Sequence, residues 1–155
     1  MLRESAPASG TDEQLKGEPS VTRKRVLVAD DHIRILSAVA ALLGKSFDVI
    51  GLVSDGKAAL DAALKLEPDL VVLDISMPGM SGIDVARALT KRSNRPKIVF
   101  LTVHEDAEIL ASCIAAGGRG YVVKQLMDSD LIPAINEALA GRVFVSRFSS
   151  EQPTR

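Results

Sequence analysis

The chain has 155 residues, 46% of them apolar and 25% charged, enough for one ordinary domain with some length to spare. Its 19 basic side chains are balanced by 20 acidic ones, which argues against a sequence-independent nucleic-acid binder. With 3% aromatics, no Trp and one Cys, the composition also excludes an internal disulfide and disfavours a single-strand stacking platform or a cysteine-built zinc site.

Residues 1–22 mix Ser, Gly, Pro, Glu and Lys with almost no large apolar side chains, so a flexible N-terminal tail is expected there. This stretch has no apolar h-region, and the longest apolar runs in the chain fall far short of a membrane span. The expectation is a cytoplasmic protein that does not engage a membrane. Beyond the tail, short β-branched runs alternate with stretches of helical spacing. Strands are predicted over Arg25–Ala29, Phe47–Val53, Leu70–Leu73, Ile98–Leu101 and Tyr121–Val123. Most are near-continuous apolar runs, as befits strands covered on both faces. Helices are predicted over Ile33–Leu43, Lys57–Leu66, Gly82–Arg92, Ala107–Ala116 and Asp130–Ala140, with Gly44 and Gly117 stopping the first and fourth. Residues 142–155 read as a short C-terminal tail. Five strand–helix units imply an α/β fold with a five-stranded, doubly wound, flavodoxin-like parallel sheet.

In such a sheet, ligands bind beyond the carboxyl ends of the strands. The apolar runs end there in polar residues: Asp30 and Asp31, then Asp74, Thr102 and Lys124. Each has a plain structural reading alone. Asp30 and Asp31 could cap the helix near Ile33, Thr102 the helix near Glu105, and Lys124 could be a solvated strand end. Gathered on one edge, three carboxylates without a cation repel one another, and a hard divalent cation relieves that. Asp74 can attack phosphorus to form an aspartyl phosphate, with magnesium and Lys124 neutralising charge and Thr102 donating a hydrogen bond. The following Ile75–Met80 segment contains Pro78 and Gly79, marking a shaped loop that can turn a backbone carbonyl toward a metal.

In their order and spacing, VLVADDH, DLVVLDISMPGMSGIDV, IVFLT and AAGGRGYVVK resemble the response-regulator receiver domains of two-component signalling, the CheY-like superfamily. The resemblance places a receiver domain at 23–141. It implies that Asp74 takes a phosphoryl group from a histidine kinase or histidine phosphotransfer protein. Mg2+ would be held by Asp31, Asp74 and the Ser76 backbone carbonyl, with Asp30 acting through a water. Thr102 and Lys124 resemble the phosphoryl-binding pair, and Tyr121 the switch aromatic, for which a sheet-edge ring packed on the fourth helix is the alternative. Ser76 and His104 occupy positions that tune access of water, although His104 also reads as a plain surface side chain. Cys113 reads as a small core hydrophobe.

Gln125 follows Lys124 where many receivers have proline, and GGRGYVVK with the final GRVFVS looks most like receivers of the nitrate-regulator type. Those are usually joined to a helix-turn-helix domain, and no such pattern follows Ser146. The expectation is a stand-alone receiver, or one whose output domain was lost or removed, acting as a phosphoacceptor switch rather than a turnover enzyme. Its downstream protein target would read residues 107–140. A homodimer is a further partnership the resemblance allows, and no nucleic acid is expected to bind this chain by itself. Two rivals remain: a haloacid-dehalogenase-type phosphatase, which would want a carboxylate where Ser76 stands, and an interaction module never phosphorylated on Asp74.

Overall fold

The computed structural model describes residues 22–148, so the expectations for the tails at 1–21 and 149–155 lie outside the described residues. In chain order the elements are β1 (Arg25–Ala29), α1 (Ile33–Leu43), β2 (Asp48–Val53), α2 (Gly56–Leu66), β3 (Leu70–Leu73), α3 (Gly82–Thr90), β4 (Lys97–Thr102), α4 (Ala107–Ala115), β5 (Gly120–Val123), a 3-10 turn (Lys124–Leu126), α5 (Met127–Leu139) and β6 (Phe144–Val145). All strand pairs are parallel, in the order β2-β1-β3-β4-β5-β6.

Two apolar layers explain why the strands are nearly uninterrupted in their hydrophobicity. Leu27, Val71, Phe100 and Tyr121 point to the face covered by α2, α3 and α4. Val26, Val72, Leu101 and Val122 point to the opposite face, against Leu36 and Val39 of α1 and Leu131 and Ile135 of α5. With both faces buried, alternation of the side chains leaves no polar position inside a strand. Polar residues are displaced to the strand ends, where they gather at one edge.

The α/β architecture with a doubly wound parallel sheet is as expected. The five expected strands are joined by a short sixth, β6, so that residues 142–148 run along the sheet where a tail was expected. Phe144 N–H donates to Arg119 O at 3.0 Å and Ser146 N–H to Tyr121 O at 2.9 Å, extending the sheet beyond β5. Phe148 is buried in the same apolar layer as Tyr121, so the segment gains apolar burial as well as backbone pairing. Helix termination also differs in detail. Gly44 does cap α1, but with right-handed dihedrals (φ −61°), whereas Gly117 after α4 takes φ +103°. The left-handed position after α2 is filled by Glu67 at φ +50°.

Candidate functional site

Strand pairing sets the site. Ala29 of β1 lies opposite Leu73 of β3, so the next residues, Asp30 and Asp74, emerge side by side, and Asp74 N–H donates to Ala29 O at 2.9 Å. Across β4, Thr102 lies opposite Val123 of β5, one residue before Lys124. The edge between β1 and β3 is where the chain reverses its order of strands, the place such sheets leave open for ligands.

Asp30 is buried, with its side chain 2% exposed, and both of its oxygens are engaged. Oδ1 accepts the His32 N–H at 2.9 Å. Oδ2 lies 2.8 Å from Lys124 Nζ without an aligned hydrogen bond, so that contact is an ion pair of imperfect direction. The same Nζ lies 3.5 Å from Asp74 Oδ1. A single ammonium, itself 9% exposed, therefore sits between two buried carboxylates. Asp31 is more open, its side chain 31% exposed, and His32 Nδ1 lies 3.1 Å from an oxygen of each of Asp30 and Asp31. Ligand atoms of Asp30, Asp31, His32 and Asp74 all lie within 4.8 Å of one another. Three carboxylates at that spacing suit a hard divalent cation, which would offset more negative charge than Lys124 can.

That excess of negative charge acts on Asp74. Burial, reinforced by Asp30 and Asp31, pushes its carboxyl from the ordinary 3.8 up to about 6, while Lys124 and the Ile75 N–H pull the other way.

The loop after β3 is shaped by close backbone packing. Gly82 N–H donates to Ile75 O at 2.8 Å, and a Cβ on Gly82 would lie 2.0 Å from Asp74 O. Ser81 then caps α3 by accepting the Asp84 N–H. Opposite, Thr102 Oγ1 accepts the His104 N–H at 3.1 Å, while Asp106 caps α4. Thr102 is thus free of capping duty. Asp30 and Asp31 likewise make no N-cap bond, since His32 stands at that position and gives none from its side chain. Ser76 Oγ and His104 Nε2 lie 3.3 Å apart, joining the loops after β3 and β4. Tyr121 is fully buried, and its hydroxyl donates to His104 O at 2.9 Å. Cys113 is buried, and burial pushes its thiol up to about 12, which makes it an inert core residue.

Sequence reasoning missed the contact of His32 with both acidic neighbours, and the buried Ser146 and Phe148 beside the site. The run Val143–Val145 is apolar and Ser146–Arg147 polar, with no alternation to mark a strand, so no sequence signal pointed to the last two.

Residues 26–136 match the response regulator receiver domain family. The chain belongs to that family. Among curated proteins this receiver is 32% identical over 123 residues to the nitrate/nitrite response regulator protein NarL of Escherichia coli K12, covering 78% of this chain and 57% of that protein. It is 36% identical over 118 residues to the transcriptional regulatory protein PdtaR of Mycobacterium tuberculosis, covering 76% and 57%. The chain thus spans a little over half the length of these relatives. Among solved structures, the receiver domain of a response regulator NarL from Mycobacterium tuberculosis superposes with a TM-score of 0.75 at 29% identity, over 79% of this chain and all of that one. The isolated receiver domain of RcsB from Salmonella enterica, in the presence of the phosphomimetic BeF3−, gives 0.74 at 26% identity, over 81% and 95%. No helix among the described residues is long and apolar enough to cross a membrane.

Proposed function

We propose that this receiver is a phosphorylation switch in which Asp74 accepts a phosphoryl group from the phosphohistidine of a kinase or phosphotransfer protein. A carboxylate oxygen of Asp74 attacks phosphorus, the phosphorus–nitrogen bond breaks, and its electron pair leaves with the imidazole. The observation that carries the reading is the Lys124 ammonium, 2.8 Å from Asp30 and 3.5 Å from Asp74 at the end of the sheet. It neutralises the acceptor before transfer and is in reach of a phosphoryl oxygen afterwards.

Asp31, Asp74 and the Ser76 carbonyl would hold Mg2+, which offsets the charge that develops on the phosphoryl oxygens. Asp30, its oxygens already shared with His32 and Lys124, suits a contact through a metal-bound water. Asp31, with the more open carboxylate, suits direct ligation. Thr102 accepts a hydrogen bond from His104 N–H, which leaves its own proton to donate to a phosphoryl oxygen. Ser76 and His104 face each other beside Asp74 and set the access of water to the acyl phosphate. Charge added at Asp74 then biases a two-state arrangement of Thr102 and Tyr121, and a protein partner reads the surface over residues 107–140.

The test is the intact mass of the protein after incubation with acetyl phosphate, with and without Mg2+, beside Asp74→Asn. A gain of one phosphoryl mass that needs both Mg2+ and Asp74 is expected. A gain of equal rate in Asp74→Asn overturns the assignment of the acceptor.

A further inference from the structure

We propose that residues 144–148 are a working part of the switch: Phe148 positions Tyr121, and Ser146 positions the backbone that carries Lys124. The proposal rests on the phosphoacceptor reading for its link to Asp74, but its positioning half stands on geometry alone.

The segment grips β5 at two site-bearing places. Ser146 is 2% exposed, and its hydroxyl is fully used. Its Oγ accepts the Val123 N–H at 3.2 Å and donates to Asp130 Oδ2 at 2.6 Å, while Asp130 Oδ1 accepts from Ser129 Oγ at 2.9 Å. The peptide N–H immediately before Lys124 is thus satisfied by a side chain from 23 residues further along the chain. A buried N–H left without that acceptor would be costly, so the strand end is tied to the segment.

Phe148, also 2% exposed, places its ring centroid 5.7 Å from that of Tyr121, tilted by 49°. That separation and tilt suit two quadrupoles that avoid face-to-face stacking. At the other end of the same side chain, the Tyr121 hydroxyl donates to His104 O, and His104 N–H donates to Thr102. Tyr121 is therefore pinned at both ends, by Phe148 behind the ring and by the His104 carbonyl in front of the hydroxyl. An outward swing would break the front bond and open a void beside Phe148, which a close-packed interior resists. Phe148 holds the ring in the inward state, which keeps His104 and Thr102 in their present bonds. By linkage, a phosphoryl group that draws on the same inward state must tighten the segment as much as the segment favours the phosphoryl group. Residues 144–148 become the route by which the state of Asp74 reaches the chain beyond Phe148.

Tyr121 is the one tyrosine in a chain without tryptophan, so intrinsic fluorescence reports this ring. The experiment compares the full chain with Phe148→Ala, Phe148→Leu and Ser146→Ala. It reads acrylamide quenching of the fluorescence, the acetyl-phosphate mass gain, and exchange of the Phe144 and Ser146 amide protons with and without Mg2+ and beryllofluoride. Expected in Phe148→Ala is a several-fold rise in quenching and a drop of about threefold in steady-state labelling of Asp74, largely rescued by Phe148→Leu. In the unsubstituted chain, beryllofluoride slows both amides by a comparable factor, and Ser146→Ala weakens that slowing. Unchanged quenching in a folded Phe148→Ala variant overturns the positioning role. Changed quenching with unchanged labelling and exchange reduces the segment to passive packing and overturns the coupling. If the unsubstituted chain takes neither phosphoryl nor beryllofluoride, it is the phosphoacceptor reading that falls, and the quenching comparison still decides whether Phe148 holds Tyr121.

Discussion

At the scale of single residues, Asp74 is in conflict with its surroundings. A nucleophilic carboxylate must be ionised, yet burial and the neighbouring Asp30 hold its carboxyl up at about 6 rather than 3.8. Between those two values the folded state keeps a proton that the unfolded chain has already lost. Stability contributed by this group therefore falls as pH rises from about 4 to about 6, by at most about 3 kcal/mol, and stays lost above that. Asp74→Asn removes the titration without removing the shape. In metal-free urea unfolding, the variant is expected to be more stable than the unsubstituted chain at pH 7 by about 1–3 kcal/mol, with the advantage shrinking at pH 4. An advantage equal at both pH values would place its origin elsewhere than in the carboxylate charge. The same strain identifies what the site lacks: more positive charge than one ammonium provides.

At the scale of elements, loops with tight backbone contacts hold these side chains. Gly82 has no room for a Cβ, since the Asp74 carbonyl would be 2.0 Å away. Gly79 has φ +82° but nothing within 4 Å of a built Cβ. Gly82→Ala is thus expected to cost about 2–3 kcal/mol and to slow acetyl-phosphate labelling, because the peptide carrying Asp74 must shift. Gly79→Ala, facing only backbone strain, is expected to cost about 1 kcal/mol and leave labelling nearly intact. Chemical denaturation with the same labelling assay separates the two. Much at this scale was legible beforehand. The bounds of β1, β3 and α1 coincide with the apolar runs RVLVA and LVVL and the 3.6-residue spacing of Ile33–Leu43, because burial on both strand faces or one helix face leaves an unambiguous pattern. The carboxylates, Thr102 and Lys124 were legible for the same reason, as the polar residues that end those runs. The start of α5 was not: the turn at Lys124–Leu126 runs directly into Met127, and Leu126 offers no capping side chain to mark the boundary. Nor was β6, whose two residues are too few for periodicity and whose anchor, Ser146, finds Asp130 only in three dimensions.

At the scale of the whole molecule, the site is a seam between loops that the sheet alone brings together. Asp30 and Asp31 follow β1 and Asp74 follows β3, so their ligand atoms stand within 4.8 Å of one another only in the folded chain. A cation that needs all of them binds the native state and not the unfolded one, and so stabilises it by about 1.4 kcal/mol at ten times its Kd and about 2.7 kcal/mol at a hundred times. The carboxylates must be ionised to ligate, and Asp74 resists ionisation below about 6. Mg2+ should therefore raise the Tm at pH 7.5 with a logarithmic dependence on concentration, and should do so far less at pH 5. Asp74→Asn, lacking one ligand charge, should show a smaller shift at pH 7.5 and little change between the two pH values. Ionic strength matched with NaCl separates ligation from the general screening of repulsion among the acids, which any salt provides. A Tm rise that NaCl reproduces in full would mean that the acidic cluster is relieved by screening, and the reading of Asp31 and Asp74 as Mg2+ ligands would have to be given up. A rise specific to divalent cations and dependent on Asp74 would tie the charge conflict at one residue to the assembly of the whole sheet edge.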